Sequence, residues 1–92
     1  MRLQLTKRFL AGVKKLSAPD RAAVDVALSG RLSTFGHPYA HGGKSVRVLK
    51  APLYEVRATL SLRIVFVRQG DSLIADIVGT HGEVIKYLKN LG

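Results

Sequence analysis

The chain has 92 residues, 47% of them apolar and 23% charged, which indicates one folded domain rather than a disordered segment. It contains no cysteine, which excludes a disulfide framework and a thiolate metal site, and it has no apolar run near the ~18 residues of a membrane span. Fifteen Lys and Arg against six Asp and Glu give a net charge of +9. This excess predicts a polyanionic partner such as nucleic acid, with an anionic membrane surface or an acidic protein as competing interpretations. We expect a small soluble cytoplasmic domain.

The first third of the chain predicts a strand and two helices. Residues 2–6 alternate apolar and polar side chains, and Thr6 can cap a helix over residues 7–16. Ser17 can cap a second helix, which ends at residue 28 or 32. The apolar side chains expected to be buried in these helices are Phe9, Leu10, Val13, Leu16, Val24, Ala27, Leu28 and Leu32.

A glycine-rich loop and four strands are expected next. The loop, residues 33–45, carries two of the three histidines, and loops of this length are often functional. The strands are expected at 46–50, 53–59, 62–68 and 72–78, and residues 82–90 form a short helix or a docked segment. The predicted fold is α+β with the order βααββββ, two antiparallel helices packing on a small, mainly antiparallel twisted sheet.

Two hairpin turns predict which residues face each other. The turn at Gly70-Asp71 predicts the pairs Gln69–Ser72, Phe66–Ala75, Ile64–Ile77 and Arg63–Val78. The turn around residues 59–61 predicts the pairs Val56–Ile64, Tyr54–Phe66 and Arg57–Arg63.

The facing arginines are the feature that suggests a site. Like charges on adjacent strands repel, so an anionic ligand could relieve the pair Arg57 and Arg63, or Glu55 or Asp76 could neutralise it. His81 is expected above the same end of the sheet. Arginines bind phosphate, and a histidine moves protons near neutral pH, so this group suits RNA cleavage by attack of the 2′-hydroxyl without a metal or other cofactor.

Two other motifs are weaker indications of a functional site. The stretch HGGKS resembles a phosphate-binding loop, but Pro38 stands where the loop's first glycine is needed and no strand leads into it. His37 and His41 have a metal-like spacing, yet no carboxylate or thiolate lies nearby. We expect no metal site, and contact of His37, His41 and Lys44 with the RNA backbone instead.

The strand order, LYEVRATLSLRIVF and VGTHGEVI resemble the RelE/ParE superfamily of toxins from toxin–antitoxin systems. GTH is similar to the YafQ branch, and the arginine in SLRIVF resembles the strand arginine of RelE and YoeB. The likeness spans nearly the whole chain, and its specific part lies within residues 46–85. It implies a ribosome-dependent mRNA endoribonuclease, an antitoxin that forms a hetero-oligomer with the toxin, contacts with ribosomal RNA, and no membrane partner.

The resemblance also implies roles for individual residues. Arg63 would contact the scissile phosphate, His81 would be the acid or base, and Arg57 stands where RelE has a functional lysine. Basic or aromatic residues that would contact RNA are Arg47, Lys50, Lys86 and Tyr87. The chain departs from the family in three ways. Arg47 or a neighbour replaces the glutamate base of YoeB, and Ile85 replaces the aromatic residue that stacks on mRNA, with Tyr87 two places later. YafQ-type enzymes use several histidines, and only His37 and His41 could supply more here.

Two other functions fit the same pattern. ParE toxins share the fold and inhibit DNA gyrase, so fold alone cannot separate them from the nucleases. A noncatalytic RNA-binding module is the third alternative, although a chain with three Phe and three Tyr lacks the paired aromatics on which such sheets stack bases.

Overall fold

The computed structural model describes residues 2–31 and 46–91. Its elements confirm the predicted α+β order, with bounds that shift by a few residues: β1 Arg2–Leu5, α1 Lys7–Lys14, α2 Ala18–Arg31, β2 Val46–Lys50, β3 Leu53–Arg57, β4 Arg63–Gln69, β5 Ser72–Gly79 and α3 His81–Asn90. The predicted loop at 33–45 and Leu32 lie outside the described residues. Within the two described ranges, no helix is long and apolar enough to cross a membrane.

The five strands form one mixed sheet in the order β1-β5-β4-β3-β2. β1 runs parallel to β5, and every other neighbouring pair is antiparallel. Successive side chains of a strand point to opposite faces, so Ile64 and Phe66 pack with α1 and α2, whereas Val65 packs with α3. The sheet therefore has a larger hydrophobic cluster on one face and a smaller one, built around α3, on the other.

Side-chain caps begin both N-terminal helices where the sequence predicts them. Thr6 Oγ1 accepts a hydrogen bond from the Phe9 amide at 3.1 Å, and Ser17 Oγ accepts one from the Asp20 amide at 3.3 Å. These bonds satisfy amide groups that have no partner inside a helix.

The predicted apolar stripe of α1 is wrong at one position. Phe9 is buried, and Val13 and Leu16 pack against the same cluster, because they lie four and seven residues further along one helix face. Leu10 is 45% exposed, since one residue rotates a helix by about 100° away from that face. In α2 the predicted burial of Val24 and Ala27 is confirmed, and Leu28 is partly buried.

The C-terminal segment is a helix with a reciprocal cap. Thr80 Oγ1 accepts from the Glu83 amide at 3.2 Å, and the Glu83 carboxylate accepts from the Thr80 amide at 2.9 Å. This capping box starts α3 at His81, one residue earlier than predicted.

The predicted pairing of β3 with β4 is confirmed at all three positions, including Arg57 opposite Arg63. In the last hairpin, Gly70 has φ 58°, as a tight turn requires, and the pairs Gln69–Ser72 and Phe66–Ala75 are also confirmed. The predicted pairs Ile64–Ile77 and Arg63–Val78 are wrong, because Asp76 is an extra residue that forms a β-bulge. Ile64 faces Val78, and Arg63 faces Gly79.

The bulge residue Asp76 is held by side chains from two helical regions. Its carbonyl accepts a hydrogen bond from Thr6 Oγ1 at 3.2 Å, and its Oδ2 accepts one from the Tyr87 hydroxyl at 2.6 Å. Arg8 Nη1 lies 3.9 Å from the same Oδ2, and the Arg8 guanidinium lies 5.8 Å from the centre of the Tyr87 ring. Asp76 thus connects β5 to the start of α1 and to α3.

Burial, and then the hydrogen bond to Asp76 and its negative charge, raise the pKa of Tyr87 to about 12, against an opposing effect of Arg8. A raised pKa means that the folded protein holds this proton more tightly than the unfolded chain. The stabilisation linked to it is complete below about pH 10 and is lost as the pH rises towards 12.

We therefore predict that Tyr87→Phe lowers the free energy of unfolding by about 1.5–3 kcal/mol at pH 7, because a hydrogen bond to a charged acceptor is lost. The difference between wild type and variant should shrink between pH 10 and 12, as measured by urea unfolding at each pH. A difference that stays constant over this range would contradict the assigned contact.

Candidate nucleic-acid site

Arg57 is the last residue of β3 and Arg63 is the first residue of β4, and the two face each other across these neighbouring strands. Both lie on the sheet face of Val65, which is the face on which α3 packs. Their surroundings differ: Arg57 is exposed, whereas the side chain of Arg63 is only 12% exposed. One arginine of the pair is therefore held within the protein, and the other extends into solvent.

A buried carboxylate neutralises the inner arginine. Glu55 Oε1 lies 3.2 Å from Arg63 Nε, and the Glu55 side chain is 8% exposed. The contact is an ion pair without a hydrogen bond, because the buried Nε has no acceptor in suitable geometry. Of the two carboxylates suggested by the sequence, Glu55 thus makes this contact, while Asp76 is bound by Tyr87.

His81 begins α3 at the same end of the sheet. It is exposed, and it follows by two residues Gly79, the residue that faces Arg63 across the hairpin. We call Arg57, Arg63 and His81 the rim. The sheet register and the start of α3 bring these three positions to the same end of the sheet.

The other predicted RNA contacts are spread more widely. Arg47 is exposed and faces Glu55, next to the rim. Lys50 pairs with Leu53 at the opposite end of β3, roughly 13 Å from Arg57 at about 3.3 Å per strand residue. Lys86 is exposed on α3 and lines a cleft of about 310 Å³ beside β5. The remaining three, His37, His41 and Lys44, lie outside the described residues.

Tyr87 has a packing role in this structure. The residue is 8% exposed, its ring belongs to the α3 cluster, and its hydroxyl is bound to Asp76. Stacking of its ring on a base would require α3 to move, so contact of Tyr87 with RNA stays a prediction that this arrangement does not favour.

Glu55 is one of the two neutralising groups that the sequence suggests, but it is not among the predicted site residues. A signal was present: strand alternation places Glu55 on the same face as Arg57, in a strand whose other residue on that face is Leu53. A single carboxylate between an apolar residue and an arginine on one strand face indicates a partnered charge, because an unpaired buried charge is costly.

Comparison with known proteins gives structural matches alone. No protein-family model matches the chain, and no curated protein does. A RelB–RelE antitoxin–toxin complex from Methanococcus jannaschii superposes with TM-score 0.67 at 15% identity, over 91% of this chain and 96% of that one. The YoeB/ParE toxin from Agrobacterium tumefaciens gives 0.65 at 20% identity, over 88% and 99%. YafQ from E. coli gives 0.61 at 12% identity, over 91% and 98%.

These matches cover about nine-tenths of the chain and nearly all of each toxin. The chain therefore has the fold of the RelE/ParE toxin superfamily, and the resemblance inferred from its sequence is confirmed at the level of the fold.

The unequal burial of the two arginines predicts unequal effects on stability. Arg63→Ala should lower the free energy of unfolding by about 3 kcal/mol, because it leaves the Glu55 carboxylate buried without a partner. Arg57→Ala should change the free energy of unfolding by less than about 0.5 kcal/mol, towards higher stability, because Arg57 is exposed and its repulsion with Arg63 is removed. Thermal melting of both variants measures the difference, and equal effects would contradict it.

Proposed function

We propose that this protein is the toxin of a type II toxin–antitoxin system and cleaves mRNA on the ribosome without a metal ion. The observation that carries the proposal is the pair Arg57–Arg63 beside the start of α3, on a fold of the RelE type. A basic pair at the ends of two strands, next to a histidine, supplies groups that can bind phosphate and transfer protons.

In the proposed reaction, the RNA 2′-hydroxyl oxygen attacks the adjacent phosphorus and the bond from phosphorus to the 5′-oxygen breaks. The products are a 2′,3′-cyclic phosphate and a 5′-hydroxyl. Arg63 and Arg57 bind the phosphate and stabilise the negative charge that grows on its oxygens. His81 performs one of the two proton transfers, either from the 2′-hydroxyl or to the leaving oxygen.

The ribosome supplies what a small domain lacks. A chain of 92 residues has little surface with which to hold an RNA strand and align its 2′-hydroxyl for in-line attack. Binding of both mRNA and toxin in one ribosomal site would provide that alignment. Cleavage should therefore be rapid on translating ribosomes and weak on purified RNA.

We predict that His81→Ala lowers the cleavage rate on ribosomes by about 10²–10⁴-fold through lost proton transfer. Arg63→Ala should cost about 10²-fold or more through lost charge stabilisation, after correction for its folded fraction. The measurement is mapping of mRNA ends after induction, with and without active translation, together with growth inhibition. Lys14→Ala and Lys15→Ala on α1 are the controls, and they should weaken binding mildly at most.

The same experiment tests the alternative functions. If His81→Ala and Arg63→Ala fold and cleave at the wild-type rate, the rim is not the active site. If wild type and both variants inhibit growth while mRNA stays intact, gyrase inhibition of the ParE kind becomes the better explanation. Binding of RNA without cleavage or toxicity would favour the noncatalytic module.

We also propose an antitoxin partner that is acidic where it covers the rim. The support is the net charge of +9 and the antitoxin present in the M. jannaschii complex. Carboxylates from such a partner would occupy the arginines and exclude phosphate.

The complex with this antitoxin should therefore weaken several-fold as salt is raised, because salt screens the attraction between exposed charges and the screening length is about 10 Å at 0.1 M ionic strength. Isothermal titration over a series of salt concentrations measures the dependence. A salt-independent affinity, with all contacts on the apolar helix faces, would contradict the electrostatic part of the proposal.

A further inference from the structure

Glu55 is the only buried charged residue in the described ranges 2–31 and 46–91. Burial of a carboxylate is costly, and an apolar residue at such a position commonly gives equal or higher stability. Its neighbours on the same sheet face include the buried apolar residues Leu53 and Val65. Stability alone therefore does not explain a carboxylate at this position.

The orientation of the ion pair suggests a reason. Three arginines are near Glu55 in the sheet register: Arg47 faces it, Arg57 lies two residues along β3, and Arg63 lies diagonally across on β4. Glu55 makes its ion pair with Arg63, through the Nε edge of the guanidinium. A guanidinium is a planar fork, so contact at Nε leaves the two terminal amino groups for a second anion.

We infer that Glu55 is a positioning residue, whose carboxylate holds the Nε edge of Arg63 so that the terminal amino groups face the scissile phosphate. The inference rests on the proposed function for the identity of that phosphate. Neither terminal amino group of Arg63 is bonded to another described residue. In this arrangement the outer arginines, Arg47 and Arg57, attract the RNA, and Arg63 alone has a fixed orientation.

Burial separates this role from that of a general base. A base must reach the 2′-hydroxyl proton, whereas the Glu55 side chain is 8% exposed and in contact with Arg63. The carboxylate also lowers the positive charge of the site, so it weakens the attraction of phosphate while it orients the group that binds it. Its removal should therefore lower the rate constant without weakening the affinity.

The test compares Glu55→Gln, which keeps the shape and removes the charge, with Asp25→Asn as a matched control. Asp25 is exposed on α2, so its replacement changes the net charge equally, away from the rim. The first readout is the NMR signal of the Arg63 Nε–H group, its relaxation, and its response to inorganic phosphate. The second is cleavage of mRNA on ribosomes, measured as a rate constant at saturating toxin and a half-saturating toxin concentration.

We expect Glu55→Gln to make the Arg63 Nε–H group mobile and to lower the rate constant about 10–100-fold, since a displacement near 1 Å can cost 10²-fold. The half-saturating concentration should stay equal or fall, and Asp25→Asn should behave as wild type. An Nε–H group that remains as ordered as in wild type, or an unchanged rate constant per folded molecule, would overturn the inference.

Two further results keep the test decisive. If Glu55→Gln does not fold, Arg63→Lys replaces it: the lysine keeps a charge for Glu55 but has no fork for phosphate, so the rate should fall about 10²-fold. A wild-type rate in that variant would overturn the inference. If wild-type protein never cleaves, the proposed function fails, while the NMR comparison in wild type and Glu55→Gln still decides whether Glu55 orders Arg63.

Discussion

The extra residue in β5 is the constraint on which the arrangement of this fold depends. In a regular strand, Ile77 would lie on the same face as Ala75 and Val78 would lie on the α3 face, because side chains alternate. The bulge at Asp76 turns Val78 towards the larger cluster and Ile77 towards α3. At Val78 the sheet meets α1 so closely that a Cβ on Gly12 would stand 3.1 Å from Val78 Cγ1. The close contact between helix and sheet thus needs both the bulge and the glycine.

The same bulge connects the hydrophobic structure to the candidate site. It brings Gly79, rather than Val78, opposite Arg63, so β5 ends beside the arginine and His81 begins α3 immediately beyond. A bulge leaves backbone groups without ladder partners, and the Asp76 carbonyl finds one in the capping threonine of α1. Its carboxylate is bound to α3 by Tyr87. A polar residue inserted into an apolar strand therefore holds both helical layers in position relative to the rim.

Prediction from the sequence succeeds where the determining residues are close together in the chain. The element order, both hairpin turns and the facing of Arg57 and Arg63 depend on local patterns, and all are confirmed. The bulge residue Asp76 is bound through its carbonyl by Thr6, 70 residues away, and no local pattern indicates such a contact. The sequence offers Glu55 and Asp76 as counterions of the arginine pair, and the choice between them depends on tertiary contacts, which bind Asp76 to Tyr87 and place Glu55 beside Arg63.

The charges of this protein act in two ways: the net charge acts at long range, and the ion pair Glu55–Arg63 acts at short range. A net charge of +9 attracts polyanions before contact, but at 0.1 M salt this attraction is largely screened beyond about 10 Å. It also does not fix the orientation of a bound phosphate. Orientation needs a contact that is short and shielded from water, and among the described residues at the rim the pair Glu55–Arg63 alone is both short and largely buried. Because this pair is largely shielded from water, the carboxylate attracts its arginine more strongly than an exposed charge at the same distance would. Attraction is therefore a property of the whole surface, whereas alignment of a phosphate would depend on a single buried ion pair.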